Sequence, residues 1–263
     1  KIERAGAGDD TRNFAPLYIK DDDGADTSEA AYFCAANRNK RSVTLDISKP
    51  EGQALAKRLI GTSQVLVENF KTGGLKKYGL SYDDLKDEFP GLIYCSITGF
   101  GQTGPYGTRP GYDVLIQGMS GLMSLNGDPE GEPMKAAIPV ADLMAGMYAA
   151  VSINAALRHR EITGEGQHID IAMTDGMASL LPLVLFFHQR TGDAPRRGDS
   201  LFSHRFAFYN TYETADGRHI SIGAVEYRFW KQLCEYLGVP EYVALQHDEK
   251  CREEILDFMR TTF

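Results

Sequence analysis

Cysteine is scarce in this chain: Cys34, Cys95, Cys234 and Cys251 are scattered through 263 residues. They form no C-x-x-C pair and have no histidine at metal-ligand spacing. That pattern excludes a zinc site and a disulfide framework, and it fits a reducing cytoplasm. Positive charge is also in short supply. A net charge of −8 argues against a general nucleic-acid or membrane-surface binder, so any anionic ligand must be met by a few well-placed cations. No signal peptide and no apolar run long enough to cross a bilayer is read from the sequence, since Leu180 to Phe187 is short and contains Pro182. Repeats and low-complexity segments are lacking as well. The expectation is a soluble cytoplasmic protein that needs neither metal nor staple to fold.

What is present is an alternation of strand and helix. Lys1-Ile2-Glu3-Arg4 reads as the tail of a strand, so the chain is expected to start inside a domain; residues 5 to 30 follow as a Gly- and Asp-rich loop. Ser42 to Leu45 predicts a short strand, Pro50 to Ile60 a helix with proline in its first turn, and Val65 to Asn69 a buried strand. Tyr82 to Glu88 predicts a helix and Leu92 to Ile97 another strand. Such alternation implies a parallel, doubly wound sheet. Further on, a helix from Asp142 to about Arg160 stops at Thr163-Gly164-Glu165-Gly166, and the strand His168 to Ala172 leads to a second apolar helix, Asp175 to His188.

The length allows one large domain and part of a second. The domain expectation is therefore a large domain over residues 1–190, a linker over 191–203 and the start of a small α+β domain over 204–263. In that last part, Phe208 to Thr214 and His219 to Gly223 flank Ala215-Asp216-Gly217, a hairpin signal on which the helix Tyr227 to Leu237 is expected to pack. A final helix from about Glu249 to Met259 closes the sequence, and the second domain is expected to be incomplete.

Two segments carry the chemistry. In Pro139-Val140-Ala141-Asp142 the proline and the aspartate read as a helix start. An aspartate there is ordinarily an N-cap, whose oxygen accepts an otherwise unpartnered backbone N–H. The helix terminus would also favour its ionised form, leaving a carboxylate available as a nucleophile. Gly99-Phe100-Gly101-Gln102-Thr103-Gly104 matches the G-x-G-x-x-G of dinucleotide-binding proteins and follows a strand. That fingerprint must open a helix, whereas Pro105, Gly107 and Pro110 make an irregular loop, so a nicotinamide site is set aside.

Read in order, Lys1-Ile2-Glu3-Arg4, Asn39-Lys40-Arg41-Ser42-Val43, Val67-Glu68-Asn69-Phe70, the Gly99 to Pro105 loop, Gly111-Tyr112-Asp113, Ala141-Asp142 and Thr163-Gly164-Glu165-Gly166-Gln167 resemble the class III coenzyme A transferases. That group includes formyl-CoA, carnitine and bile-acid CoA transferases and the related α-methylacyl-CoA racemases. The resemblance runs over essentially the whole chain. It implies an α/β fold: a Rossmann-like parallel-sheet large domain with a smaller α+β domain, of the interlocked-dimer type. It further implies a longer protein, with a strand and helix ahead of Lys1 and an extended C-terminal part, and a homodimer when full length.

The resemblance places the catalytic aspartate on Asp142 and the coenzyme A pocket on Arg4, Leu45, Ser48, Asn69, Phe70, Lys77, Tyr112 and Asp113. Arg4 and Lys77 would meet phosphates, Phe70 would pack on the ligand, and loop amides would hold the pantetheine arm. Lys77 stands where many relatives carry arginine, so a point charge replaces a fork. The implied reaction moves CoA from an acyl-CoA thioester to a small carboxylic acid through an aspartyl anhydride and an aspartyl-CoA thioester, with CoA as substrate and no permanent cofactor or metal. Met119, Ser120, Gly121, Leu122 and Met123 line an acyl site or simply pack a core.

A racemase-like proton transfer is the alternative, for which Glu226 matches a supporting glutamate. The histidine base of the racemases is replaced here by Tyr112, whose type has an ordinary pKa near 10 and is a poor base at neutral pH. A third reading is a non-catalytic CoA-binding fragment. The acyl donor and acceptor are not read from the sequence.

Overall fold

The computed structural model describes residues 1–14 and 17–263. The chain is α/β, and its main sheet is parallel as the alternation predicts. Strands β1 (Ile2–Glu3), β2 (Tyr18–Lys20) and β3 (Asp26–Ala30) precede helix α1 (Ala31–Asn37), and β4 (Val43–Thr44) leads to α2 (Pro50–Gly61). Next come β5 (Val65–Glu68), α3 (Tyr82–Leu85) and β6 (Ile93–Thr98), then α4 (Asp113–Met119), α5 (Leu122–Leu125) and the long α6 (Val140–Thr163). β7 (Gln167–Ala172), α7 (Met173–Ala178), α8 (Pro182–Thr191), β8 (Tyr209–Glu213), β9 (His219–Gly223), α9 (Tyr227–Tyr236) and α10 (Arg252–Thr262) complete the order.

Contacts divide the chain into two interleaved units. Lys1–Pro110 joins Gly146–Ala172, and Gly111–Ala145 joins Met173–Phe263. The division falls within α6, in contrast to the single boundary at 191–203 drawn from composition.

In the first unit, β6 lies between β5 and β7, with Val65 opposite Ile93 and Ile93 opposite Gln167, all parallel. Ile93, Tyr94, Cys95 and Ser96 are all buried. A central strand covered on both faces reads as a near-continuous apolar run, here interrupted by the buried Ser96, whose hydroxyl pairs with His168 Nε2 (2.9 Å). Ala56 and Ile60 of α2, one turn apart, pack with Leu75, Leu80, Leu85, Leu92 and Tyr94. β1 pairs β4 in parallel, Glu3 opposite Thr44. The segment expected to be a loop over 5–30 instead contains the antiparallel β2–β3 pair, although positions 15 and 16 within it lie outside the described residues. Its alternation is short and its exposed faces polar, so no apolar period announced it.

In the second unit, the hairpin β8–β9 closes as expected, Tyr209 opposite Gly223 and Glu213 opposite His219. Gly217 supplies the left-handed residue of its turn at φ 76°. Trp230 and Cys234 of α9 pack with Phe208, Tyr212, Ile255, Leu256 and Met259 in one core. The single apolar helix expected over 175–188 is two helices, α7 and α8, because Pro182 cannot continue the hydrogen-bond ladder and starts α8 in the first turn.

The long helix α6 corrects a second expectation. By length and composition alone, its 24 residues are long and apolar enough to cross a membrane. Alanine, methionine and scattered leucine, valine and isoleucine accumulate that hydropathy without a conspicuous block of branched residues. Its stripe of Leu143, Met147 and Val151, spaced by four, is exposed.

Candidate active site

Helix α6 begins at Val140, so Asp142 is its third residue and not its N-cap as expected from sequence. The amide of Leu143 donates to the carbonyl of Pro139 (3.0 Å), which fixes that start. Proline has no side-chain acceptor for the first amides of the helix. The missing cap comes from the first residue of α4: Asp113 Oδ1 accepts from the amides of Ala141 (2.8 Å) and Asp142 (3.4 Å).

Asp113 is itself held. Gln117, one turn along α4 and fully buried, donates from Nε2 to Asp113 Oδ2 (2.5 Å) and to the carbonyl of Ile138 (3.4 Å), while its Oε1 accepts from the amide of Ala136 (2.9 Å). The i, i+4 spacing of Asp113 and Gln117 was readable as a helical pair; its partner 28 residues away was not.

Asp142 keeps an exposed edge, yet surrounding protein crowds its carboxyl. Partial burial and, secondarily, the nearby Asp113 raise its pKa above the ordinary carboxylate value. The helix terminus alone would have lowered it, as the sequence reading expected. The balance is a more basic and therefore more nucleophilic carboxylate. Tyr112 is the N-cap residue of α4 and is 71% exposed, a ring placed on the surface. Glu226 is exposed at the N-cap of α9 and makes no side-chain cap bond; its carbonyl accepts from Trp230 (3.1 Å).

The other predicted binding residues lie in the first unit. Leu45 donates its amide to the carbonyl of Glu3 (3.0 Å), which brings it beside β1, the strand that Arg4 follows. Arg4 is exposed and pairs with Asp10. Ser48 turns back on Asp46, its amide donating to Asp46 Oδ1 at 3.0 Å. Asn69 and Phe70 follow β5 on an exposed loop, where the Phe70 amide donates to Glu68 Oε2 (2.7 Å). Lys77 extends over the Tyr78 ring, its Nζ 4.7 Å from the centroid.

The glycine loop after β6 is irregular, as its prolines predict, and three side chains pin it. Gly101 adopts φ 82° and donates to Thr98 Oγ1 (2.9 Å). Gln102 donates its amide to Asp170 Oδ2 (2.8 Å), and Thr72 Oγ1 donates to the carbonyl of Gly107 (2.6 Å). Neither Asp170 nor Thr72 was singled out in the sequence, because both act from distant strands and loops.

An α/β chain with this arrangement has close counterparts among solved proteins. A CaiB/BaiF family protein from Brucella suis superposes with a TM-score of 0.80 at 39% identity, covering 99% of this chain and 70% of that one. The sequence profile described as CoA-transferase family III matches residues 1–258, and the chain belongs to that family. It is 45% identical to a succinate–glutarate CoA-transferase of Agrobacterium fabrum, over 95% of this chain and 61% of the relative. A human succinyl-CoA:glutarate CoA-transferase is 36% identical over 92% of the chain. The chain thus spans 61% of the length of the first relative and 53% of the second.

Proposed function

We propose that this chain is the part of an acyl-CoA:carboxylate CoA-transferase that carries the reacting carboxylate, Asp142. The observation that carries the reading is a carboxyl made more basic than usual, in the first turn of a long helix, within a family-matched chain. The two named relatives handle succinate and glutarate, and short dicarboxylic acids are accordingly the proposed donor and acceptor class.

In the proposed reaction, one Asp142 oxygen attacks the thioester carbonyl; the C–S bond breaks and CoA leaves as thiolate, forming a mixed anhydride. The thiolate then attacks the aspartyl carbonyl, expelling the donor acid as its carboxylate and leaving an aspartyl-CoA thioester. The acceptor carboxylate attacks that thioester and CoA thiolate departs. Finally the thiolate attacks the acceptor's acyl carbonyl, giving the new acyl-CoA and restoring Asp142. Backbone amides would stabilise the oxyanion at each addition.

Arg4, Leu45, Ser48, Asn69, Phe70, Lys77, Tyr112 and Asp113 are proposed to form the coenzyme A side of the site. A homodimer is proposed as well, supported by the exposed Leu143, Met147 and Val151 stripe on α6.

The test is incubation of the full-length protein with succinyl-CoA or glutaryl-CoA, hydroxylamine trapping and peptide mass spectrometry. Modification is expected on Asp142, with turnover lost in Asp142→Ala and Asp142→Asn. Full turnover in either variant would remove Asp142 from the mechanism.

A further inference from the structure

We propose that Asp113 is a positioning residue that aims Asp142 and faces it with a negative charge, acting through the helix terminus and clamped in turn by Gln117. The inference rests on the assignment of Asp142 as the reacting group and goes beyond it, because it gives Asp113 a task other than touching coenzyme A.

Three observations carry it. The two carboxyl oxygens of Asp113 have separate duties: Oδ1 takes the amides of Ala141 and Asp142, and Oδ2 takes Gln117 Nε2. All are donations to Asp113, the acceptor-only pattern of a carboxylate. Gln117 is fully buried, unusual for a glutamine, and its remaining bonds go to the segment that delivers α6, at Ala136 and Ile138. That segment and α4 are therefore fastened at both ends, and a rotation of Asp113 would leave buried donors unpartnered. Lastly, the amide of the reacting residue itself is one of the groups held, so the direction of the Asp142 side chain is tied to the Asp113 carboxylate.

The electrostatic surroundings are simple. Asp113 is the charged group that acts on Asp142. The segment before α6 carries Asp128, Glu130, Glu132 and Lys135, all exposed, and α7, which packs on α4, carries the exposed Asp175. A cap that was only structural would need an oxygen at position 113 but no charge. A cap that also keeps its neighbour basic needs the charge.

The variants separate these roles. Asp113→Asn keeps an oxygen for the helix amides but sets an amide NH2 against Gln117 Nε2. The double variant D113N/Q117E restores that bond, since a carboxylate at 117 accepts from the new amide and from Ala136, and it moves the negative charge from position 113 to position 117 while giving up the donation to the Ile138 carbonyl. The measurement is the pH dependence of Asp142 adduct formation from succinyl-CoA in wild type and double variant, alongside thermal unfolding. The expected result is a folded protein whose melting temperature is lowered by the buried charge at 117, an acidic limb displaced to lower pH, and a plateau rate lower by about tenfold, as a less basic nucleophile shows.

If D113N/Q117E does not fold, Asp113→Ser provides an uncharged oxygen cap for the same comparison. A wild-type adduct with an unchanged limb and rate in the folded variant overturns the inference alone. Absence of any Asp142 adduct in wild type overturns the assignment of the reacting residue, and the inference with it.

Discussion

Acid should loosen the N-terminal strand, and Glu3, with Asp9 close by, is responsible. Its side chain is buried in β1 and receives Arg12 Nε (2.9 Å) and a second guanidinium nitrogen (3.1 Å), Ser42 Oγ (2.7 Å) and the Asp9 amide (2.9 Å). Hydrogen bonding to Arg12, foremost among these contacts, outweighs burial and lowers the carboxyl from 4.5 to about 2. A pKa depressed in the folded state contributes stability that is fully present above the unfolded value. It is lost as pH falls from about 4.5 towards 2. At 1.36 kcal/mol per pH unit, the drop from 4.5 to about 2 amounts to roughly 3–4 kcal/mol at neutral pH.

The substitution Glu3→Gln removes this contribution and puts an amide donor against Arg12. Hydrogen exchange across residues 1–14, compared at pH 7 and near pH 3, reads the effect locally. Protection in E3Q should fall at pH 7 by about two to three orders of magnitude, and the difference from wild type should shrink steadily with acid. A difference between the two proteins that is equal at both pH values would refute the linkage argument.

Two further substitutions test the packing. A methyl group at Gly166 would overlap the carbonyl oxygen of Leu92 and approach Gly91 C to 2.6 Å. Because backbone cannot yield as a side-chain tip can, Gly166→Ala should destabilise by about 1–3 kcal/mol in urea unfolding, and a neutral result would contradict the close approach. Trp230 is fully buried, with Nε1 donating to the Tyr242 carbonyl (3.0 Å). Trp230→Ala should remove roughly 3–5 kcal/mol, monitored by unfolding of the β8–β9 hairpin region; a loss below about 1 kcal/mol would mean that this core is not cooperative.

The parts of the fold that could be read from sequence were those decided locally. β6 announced itself through Ile93 to Ile97, apolar because both faces are covered, and the β8–β9 turn through Asp216-Gly217. The α7–α8 break was written in Pro182 but overridden in reading by the apolar residues around it. Pro139 and the apolar run after it placed Asp142 at a helix start, while its proposed role came from the family resemblance; its place inside the first turn could not be read. The cap that displaces it is Asp113, and a hydrogen bond spanning 28 residues leaves no periodic trace. The same distance hides Asp170 and Thr72, which hold the glycine loop from 68 and 35 residues away.

The interleaving of the two units has a consequence for how the protein is made. β6 emerges from the ribosome early, but its second neighbour, β7, ends only at Ala172, after residues 111–145 have gone to the other unit. Until then the buried strand has one open edge, and its pairing must wait across a long stretch of chain, which slows folding and leaves the edge exposed to misassembly. No single cut liberates either unit intact. A protease nick or a gene split between 111 and 145 would sever strands that belong together, so the two units are inherited, synthesised and lost as one.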